Sequence, residues 1–322
     1  KKGSAGRGRV QYSNSFSFSK AYGYPELQDK YANGSYGVTN WYYTKRYGGQ
    51  YAPGTKLYNN YDAVTQTGFA QKHSLSVEGG SDKVTVRTSI SWQNNKGVVK
   101  TTASERLNLS LSGKAEATKW LKFDGSMQYT HSKVRKALRG TSGPLYMAML
   151  WPMIDNMAEY MDPDGKQMKL PSYYIDTDLK NPLFGLMKNK YEDKDDRVIV
   201  SLGATITPTK HTFITGKFGW DVNTGKYVAI YSPYYANRAG SGYLTSTGSY
   251  NLAKNNYSDP SMSVLAGYTN DFGKFNVSAQ FGYHQVENGV DRLSVYGSKF
   301  INVDFASIAN CTPSTIGVST KQ

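Results

Sequence analysis

Apolar and polar residues alternate along much of this chain. Val10, Tyr12, Phe16 and Phe18 are interleaved with Gln11, Ser13, Ser15, Ser17 and Ser19. Val84, Val86, Ile90 and Trp92 alternate with Thr85, Arg87, Ser89, Ser91 and Gln93. Leu107, Leu109 and Leu111 repeat the pattern, as do Leu121, Phe123, Met127 and Tyr129, and later Phe275, Val277, Ala279, Phe281 and Tyr283. Successive side chains of a strand point to opposite faces, so each run has one apolar and one polar face. Weaker runs carry Leu75 and Val77 within 69–79, then Val198–Ile206, Ile214–Trp220 and Met262–Tyr268. Together these predict about nine strands, antiparallel where chain neighbours pair.

Period two suits both a soluble sandwich and a membrane barrel; the connections decide between them. Tight turns are expected at Gly79–Lys83, Ala115–Lys119, Thr207–Lys210 and Asn270–Lys274. The links between them are longer, about 20–67, 94–104, 132–191 and 222–259, with a further loop expected over 287–322. Short and long connections therefore alternate, putting every long loop at one end. Outer-membrane barrels are built this way, with tight periplasmic turns and long extracellular loops. The expected fold is all-β: part of an antiparallel transmembrane β-barrel, its polar faces lining a wet interior. That places the chain in the outer membrane of a Gram-negative cell.

Composition agrees with this reading. The 322 residues include 27 Tyr and 32 Gly but only 39% hydrophobic residues. Aromatic residues favour the pleated surface and glycine marks bends. No run of apolar residues is long enough for a membrane helix, although barrel strands escape such a search. One cysteine, Cys311, excludes an intrachain disulfide. The formal charge of +14 raises nucleic acid as a partner. Its lysines and arginines are scattered rather than gathered on one helix face, so nucleic acid is not expected.

Several blocks resemble SusC/RagA-type TonB-dependent transporters. Lys1-Lys2-Gly3-Ser4-Ala5-Gly6-Arg7-Gly8-Arg9-Val10 is similar to the junction between plug and barrel in that family. Thr67–Gly80 resembles its Thr-Gly-x-x-Gln-x-His-x-Leu-Ser-x-x-Gly-Gly block. Ile90–Trp92 and Asn95–Lys100 resemble the family's next strand and its glycine-containing loop. Trp120-Leu121-Lys122, Thr207-Pro208 and Phe218–Asp221 are also similar. The resemblance implies a 22-stranded barrel closed by a plug. Residues 1–8 would be the end of the plug junction and 9–322 the early part of the wall, about 9–10 strands. It further implies TonB-driven import of a glycan or peptide oligomer, a SusD-like lipoprotein lid, TonB contact through the plug, and no enzymatic chemistry. Lumen-facing Arg87, Arg106, Lys114 and Lys122 would face the plug.

Candidate chemistry is sparse. His73, His131, His211 and His284 lack metal-ligand spacing. Asp162-Pro163-Asp164-Gly165 resembles the start of a calcium loop but lacks its later ligands, and reads as a turn. A loose calcium site using Asp176, Asp178, Asp193, Asp195 or Asp196 is the alternative; no other cofactor is expected. The loop aromatics Trp41, Tyr42, Tyr43 and Trp151 are the candidate ligand contacts, with Tyr47, Tyr146, Tyr173, Tyr174, Tyr231, Tyr234 and Tyr235 also in or near loops. Aromatic faces stack on sugar rings or side chains, while the plainer role is packing within a folded loop. Leu145–Tyr160 reads as a short helix of mixed spacing. A complete small porin, or a ten-stranded outer-membrane protease with an Asp–His pair at its rim, is the competing assignment; His131 and His284 lie near strand ends.

Overall fold

The computed structural model describes residues 6–40, 43–161, 181–238, 242–302 and 304–321. Its strands, in chain order, are β1 Gly6–Ser19, β2 Gly34–Ser35, β3 Val38–Thr39, β4 Gly68–Gly80 and β5 Val84–Lys96. They continue with β6 Ala103–Glu116, β7 Leu121–Arg135, β8 Lys190–Thr209, β9 Thr212–Tyr231, β10 Tyr234–Arg238 and β11 Gly242–Ser246. Last come β12 Ser249–Phe272, β13 Phe275–Val286, β14 Gly289–Ser298 and β15 Gly317–Lys321. One 11-stranded antiparallel sheet holds most of them, in the order β1-β4-β5-β6-β7-β8-β9-β12-β14-β15, with β13 also on β12.

β13 and β14 are one strand in two pieces. β13 ends with Val286 opposite Ser261, and β14 resumes with Gly289 opposite Ser258, in an unbroken register. Between them the partner strand presents Pro260, which has no N–H to donate, and only its carbonyl is used, by the Glu287 N–H at 3.0 Å. Counting this pair once and β15 as the start of another strand, the nine expected strands are all present. No described helix could cross a membrane; this says nothing against strands doing so.

The turns explain the register. Gly80 has φ 153°, and a Cβ there would lie 2.0 Å from the Val84 carbonyl oxygen, so only glycine closes the β4–β5 turn. The Ser81 hydroxyl then accepts from the Lys83 and Val84 N–H groups. Two-residue links join β8 to β9 and β12 to β13, the latter through Gly273 at φ 62°.

One sheet face is apolar and uncovered. Val10, Phe18, Phe281 and Phe275 are each at least two-thirds exposed, and Leu111, Met127, Leu202 and Trp220 about half. An uncovered face this large is unstable in water and is stable against hydrocarbon. The strands also tilt across this belt. One hydrogen-bonded row runs Phe18, Phe69, Lys96, Ala103, Arg135, Glu192, beginning among aromatics and ending among charges. Only strands inclined to the belt do this, which is the shear of a barrel wall. The chain is an all-β arc of a β-barrel.

Boundaries differ from the sequence reading at the long-loop end. β9 runs to Tyr231 and β12 starts at Ser249, so the link expected over 222–259 is only 232–248. The expected loop 287–322 contains β14 and β15, 132–191 narrows to 136–189, and 94–104 to 97–102. Past the belt both strand faces are wet, so alternation disappears although pairing continues. Asp193, Asp195 and Asp196 are accordingly strand residues of β8. β1 already begins at Gly6, so residues 6–8 belong to the wall strand.

Buried side chains gather not in the sheet but in the loops above it. Three short helices lie there: α1 Asn60–Val64, α2 Pro144–Leu150 and α3 Pro182–Lys188. The helix expected over Leu145–Tyr160 stops at Leu150. Tyr61, Val64, Ala148, Trp151, Met157 and Leu183 form one cluster, with Val64 and Met157 fully enclosed.

Candidate functional site

The face opposite the belt is polar and held by cross-strand pairs. Arg87 donates to Glu78 at 2.7 Å and Lys122 to Glu116 at 2.7 Å. Arg106 and Lys114 share this face, the one expected for them, since Arg106 lies opposite Gln93 and Lys114 opposite Thr85. Higher up, Arg197 pairs with Asp221, Lys136 with Asp193, and the Tyr227 hydroxyl donates to Asp195 at 3.1 Å.

Near the long loops the wall turns aromatic. Tyr191 and Tyr231 meet edge to face, with centroids 5.4 Å apart. Two recesses share Tyr191. One, of about 600 Å³, is lined by Lys136, Asp193, Tyr227 and Tyr296. The other, of about 480 Å³, lies between α2, α3 and the strand ends, against Phe184, Asn189 and Tyr231. Tyrosine rings beside carboxylates and amides offer stacking surfaces with hydrogen-bonding edges, suited to holding a flexible polar chain. The sequence signal for these residues was tyrosine on the polar face of a strand, where serine and threonine prevail. It was visible at Tyr227 and missed.

Above the wall, three loops are knitted into a cap. The Asn60 amide donates to the Pro152 carbonyl and accepts from the Met157 N–H. Asn181 donates to the Met157 carbonyl and caps α3 by accepting from Leu183 and Phe184. Lys100 donates to Ala63, tying the 97–102 loop to α1. Tyr24 stacks on Tyr61 at 4.2 Å.

Arg46 is the main staple. Its guanidinium donates to the carbonyls of Met149 and Trp151, at 2.7 and 3.0 Å, where α2 ends. Charge meets the negative end of the helix there. Burial draws the Arg46 pKa down and pushes those of Tyr51 and Tyr61 up, each tyrosine shift being opposed by the arginine's charge. Arg46→Ala should weaken loop docking by about 1.5–3 kcal/mol. Faster protease cleavage within 20–67, with strand content unchanged by circular dichroism, checks this; equal cleavage rates would refute it.

The candidate ligand aromatics fall in three places. Trp41 and Tyr42 lie outside the described residues, as do Tyr173, Tyr174, Asp162–Gly165, Asp176 and Asp178. Tyr43 is 48% exposed at the surface of the first loop. Trp151 is 1% exposed: its indole fills the cap core and presents no surface to a ligand in this conformation. Its burial is what the loop-packing role expects.

An Asp–His pair does form at the rim. His131 Nδ1 lies 2.8 Å from Asp196, which also accepts from the Tyr129 hydroxyl at 2.6 Å. Registry places all three on the belt side, His131 and Asp196 in the row from Leu107 to Thr224 and Tyr129 in the next row, between Leu109 and Val198. Trp92 donating to Glu105, and Trp220 to Ser258, stand on that side too. Rings at the end of an apolar belt with donors turned to its polar edge have the arrangement of an aromatic girdle. Among the described residues no cluster of three or more His, Cys, Asp or Glu could hold a metal.

No protein-family model and no curated protein sequence matches the chain. Solved structures do. The RagAB peptide importer in the "open-open" state superposes with a TM-score of 0.73 at 16% identity, and in the "closed-closed" state with 0.71 at 16%. A further structure of the RagAB peptide transporter gives 0.72 at 15%. Each match covers 100% of this chain but only 39–40% of the other. At this identity the likeness establishes a shared fold, and the chain spans about 40% of the length of those it matches.

Proposed function

We propose that this chain is the early barrel wall of a TonB-dependent outer-membrane importer, and that its cargo is a peptide or glycan oligomer. The observation that carries this is two-faced: an uncovered apolar belt outside, and a tyrosine- and carboxylate-lined wall inside, under a folded cap. That outside suits hydrocarbon and that inside suits a hydrated polar ligand. The fold that this whole chain shares with about 40% of a peptide importer supports transport and favours peptide over glycan. In this reading the long loops are extracellular and the tight turns periplasmic. The remaining strands, to about 22, close the barrel around a plug, since an open sheet edge is not tolerated in lipid. TonB, drawing on the proton-motive force, pulls the plug, and a SusD-like lipoprotein lids the loops. No bond is made or broken in the cargo.

Deleting the gene should abolish uptake of a labelled peptide mixture by intact cells. Collapsing the proton-motive force with an uncoupler should do the same in the parent strain. Uptake that survives the uncoupler but needs the gene would point to a passive porin. Uptake indifferent to the gene would refute import.

A further inference from the structure

Registry lines up four lysines on the belt side of the wall. Lys133 lies opposite Lys194, Lys194 opposite Lys226, and Lys226 opposite Lys254. Paired strands are about 4.8 Å apart, so the rung spans about 15 Å across β7, β8, β9 and β12. Like charges set directly opposite each other destabilise a sheet. Carboxylates relieve part of this on the β6–β8 side: Glu192 lies 3.5 Å from Lys133 and 3.4 Å from Lys194, with Lys190 at 3.6 Å, Glu105 stands opposite Lys133, and Asp196 is attracted by Lys194. Lys226 and Lys254 are exposed and make no ion pair among the described residues. None of the four strands is a sheet edge at this level, so the lysines are not there to block edge pairing.

What lies below the rung indicates its occupant. Four residues nearer the tight turns on the same face are Tyr129, Val198 and Val222, the top of the apolar belt, and, below Lys254, Ser258, which accepts from the Trp220 indole. The ammonium groups therefore stand about 10 Å above the hydrocarbon edge. A ligand meeting both zones must be apolar below and anionic above, and that is a lipid. A peptide cargo travelling inside the barrel never reaches this face.

We propose that the rung binds phosphate-bearing glycolipid headgroups of the outer leaflet, supplying the anions that four facing lysines require. This rests on the outer-membrane orientation above. Phosphate oxygens accept charge-assisted hydrogen bonds from lysine, whose flexible stem adapts to a mobile headgroup.

The test uses the full-length protein in phosphatidylcholine nanodiscs doped with bisphosphorylated lipid A or with its dephosphorylated form. Bound lipid is counted by native mass spectrometry. The wild type should retain the phosphorylated form at least about tenfold better, and added salt should erode the preference. Changing Lys133, Lys194, Lys226 and Lys254 together to Gln should abolish the preference, whereas Lys→Arg at all four should keep it. Lys83→Gln with Lys119→Gln, in turns at the opposite end, should leave it unchanged. A wild type that inserts but does not distinguish the lipids, or a Gln variant that still does, overturns the rung and leaves the barrel standing. A protein that stays soluble without detergent overturns both.

Discussion

Leu111→Arg should prevent stable assembly of the wall, whereas Ser110→Arg, one residue earlier, should be tolerated. Leu111 lies on the belt face between Thr88 and Met127, and is 52% exposed. An arginine near the mid-plane of a barrel's lipid face costs about 2–4 kcal/mol. Ser110 points the other way, between Ser89 and Gln128, where water and polar neighbours receive a guanidinium. Heat-modifiable electrophoretic mobility of full-length protein refolded into lipid vesicles reads the difference. If both variants fold alike, the belt does not face hydrocarbon, and the two-faced wall that supports import falls with it.

That contrast depends on a one-residue shift of register, and register is what the sequence shows best here. Period two survives wherever one side of a strand is dry. Ile90 with Ser89 and Ser91, or Phe281 with Gln280, announce their faces because lipid and water impose opposite demands on neighbouring residues. Where water reaches both sides the signal fades. Lys226, Asn255 and Asn256 carry no alternation, so β9 and β12 outrun their expected ends while their ladders remain paired. Turn chemistry was likewise legible at Gly80 and Gly273, whose positive φ angles suit glycine.

The site was less legible, for a different reason. Its contacts join residues distant in the chain, and nothing local marks them. His131 and Asp196 meet across the β7–β8 register with the whole 136–189 loop between them. Arg46 finds its partners at the end of α2. Trp41, Tyr43 and Trp151 look alike as aromatic residues in loops, yet Tyr43 is half exposed and Trp151 enclosed. Aromatic character marks a residue that will cover apolar surface; whether that surface is ligand or loop depends on tertiary packing. The lysine rung was invisible for the same reason: each member is an ordinary lysine until four strands are laid side by side.

Trp151→Ala should unfold the cap while leaving the wall intact. The indole is the largest fully buried side chain among the described residues, packed in the cluster that holds Val64, Ala148 and Met157. Removing a buried aromatic of this size costs about 3–5 kcal/mol, more than a small loop cluster can absorb. The hydrogen bonds that tie 20–67 to 136–189, from Asn60 and Arg46, border this cluster, as does the Asn181 bond to Met157 within 136–189, so its loss should release both loops together. Hydrogen exchange should show protection lost in α1, α2 and α3 and kept in β5 to β9. If the cap forms part of the cargo site, peptide uptake should fall along with it. If Trp151 instead touched cargo directly, Trp151→Phe would lower uptake with loop protection unchanged, and that outcome would restore the ligand-contact role its burial argues against.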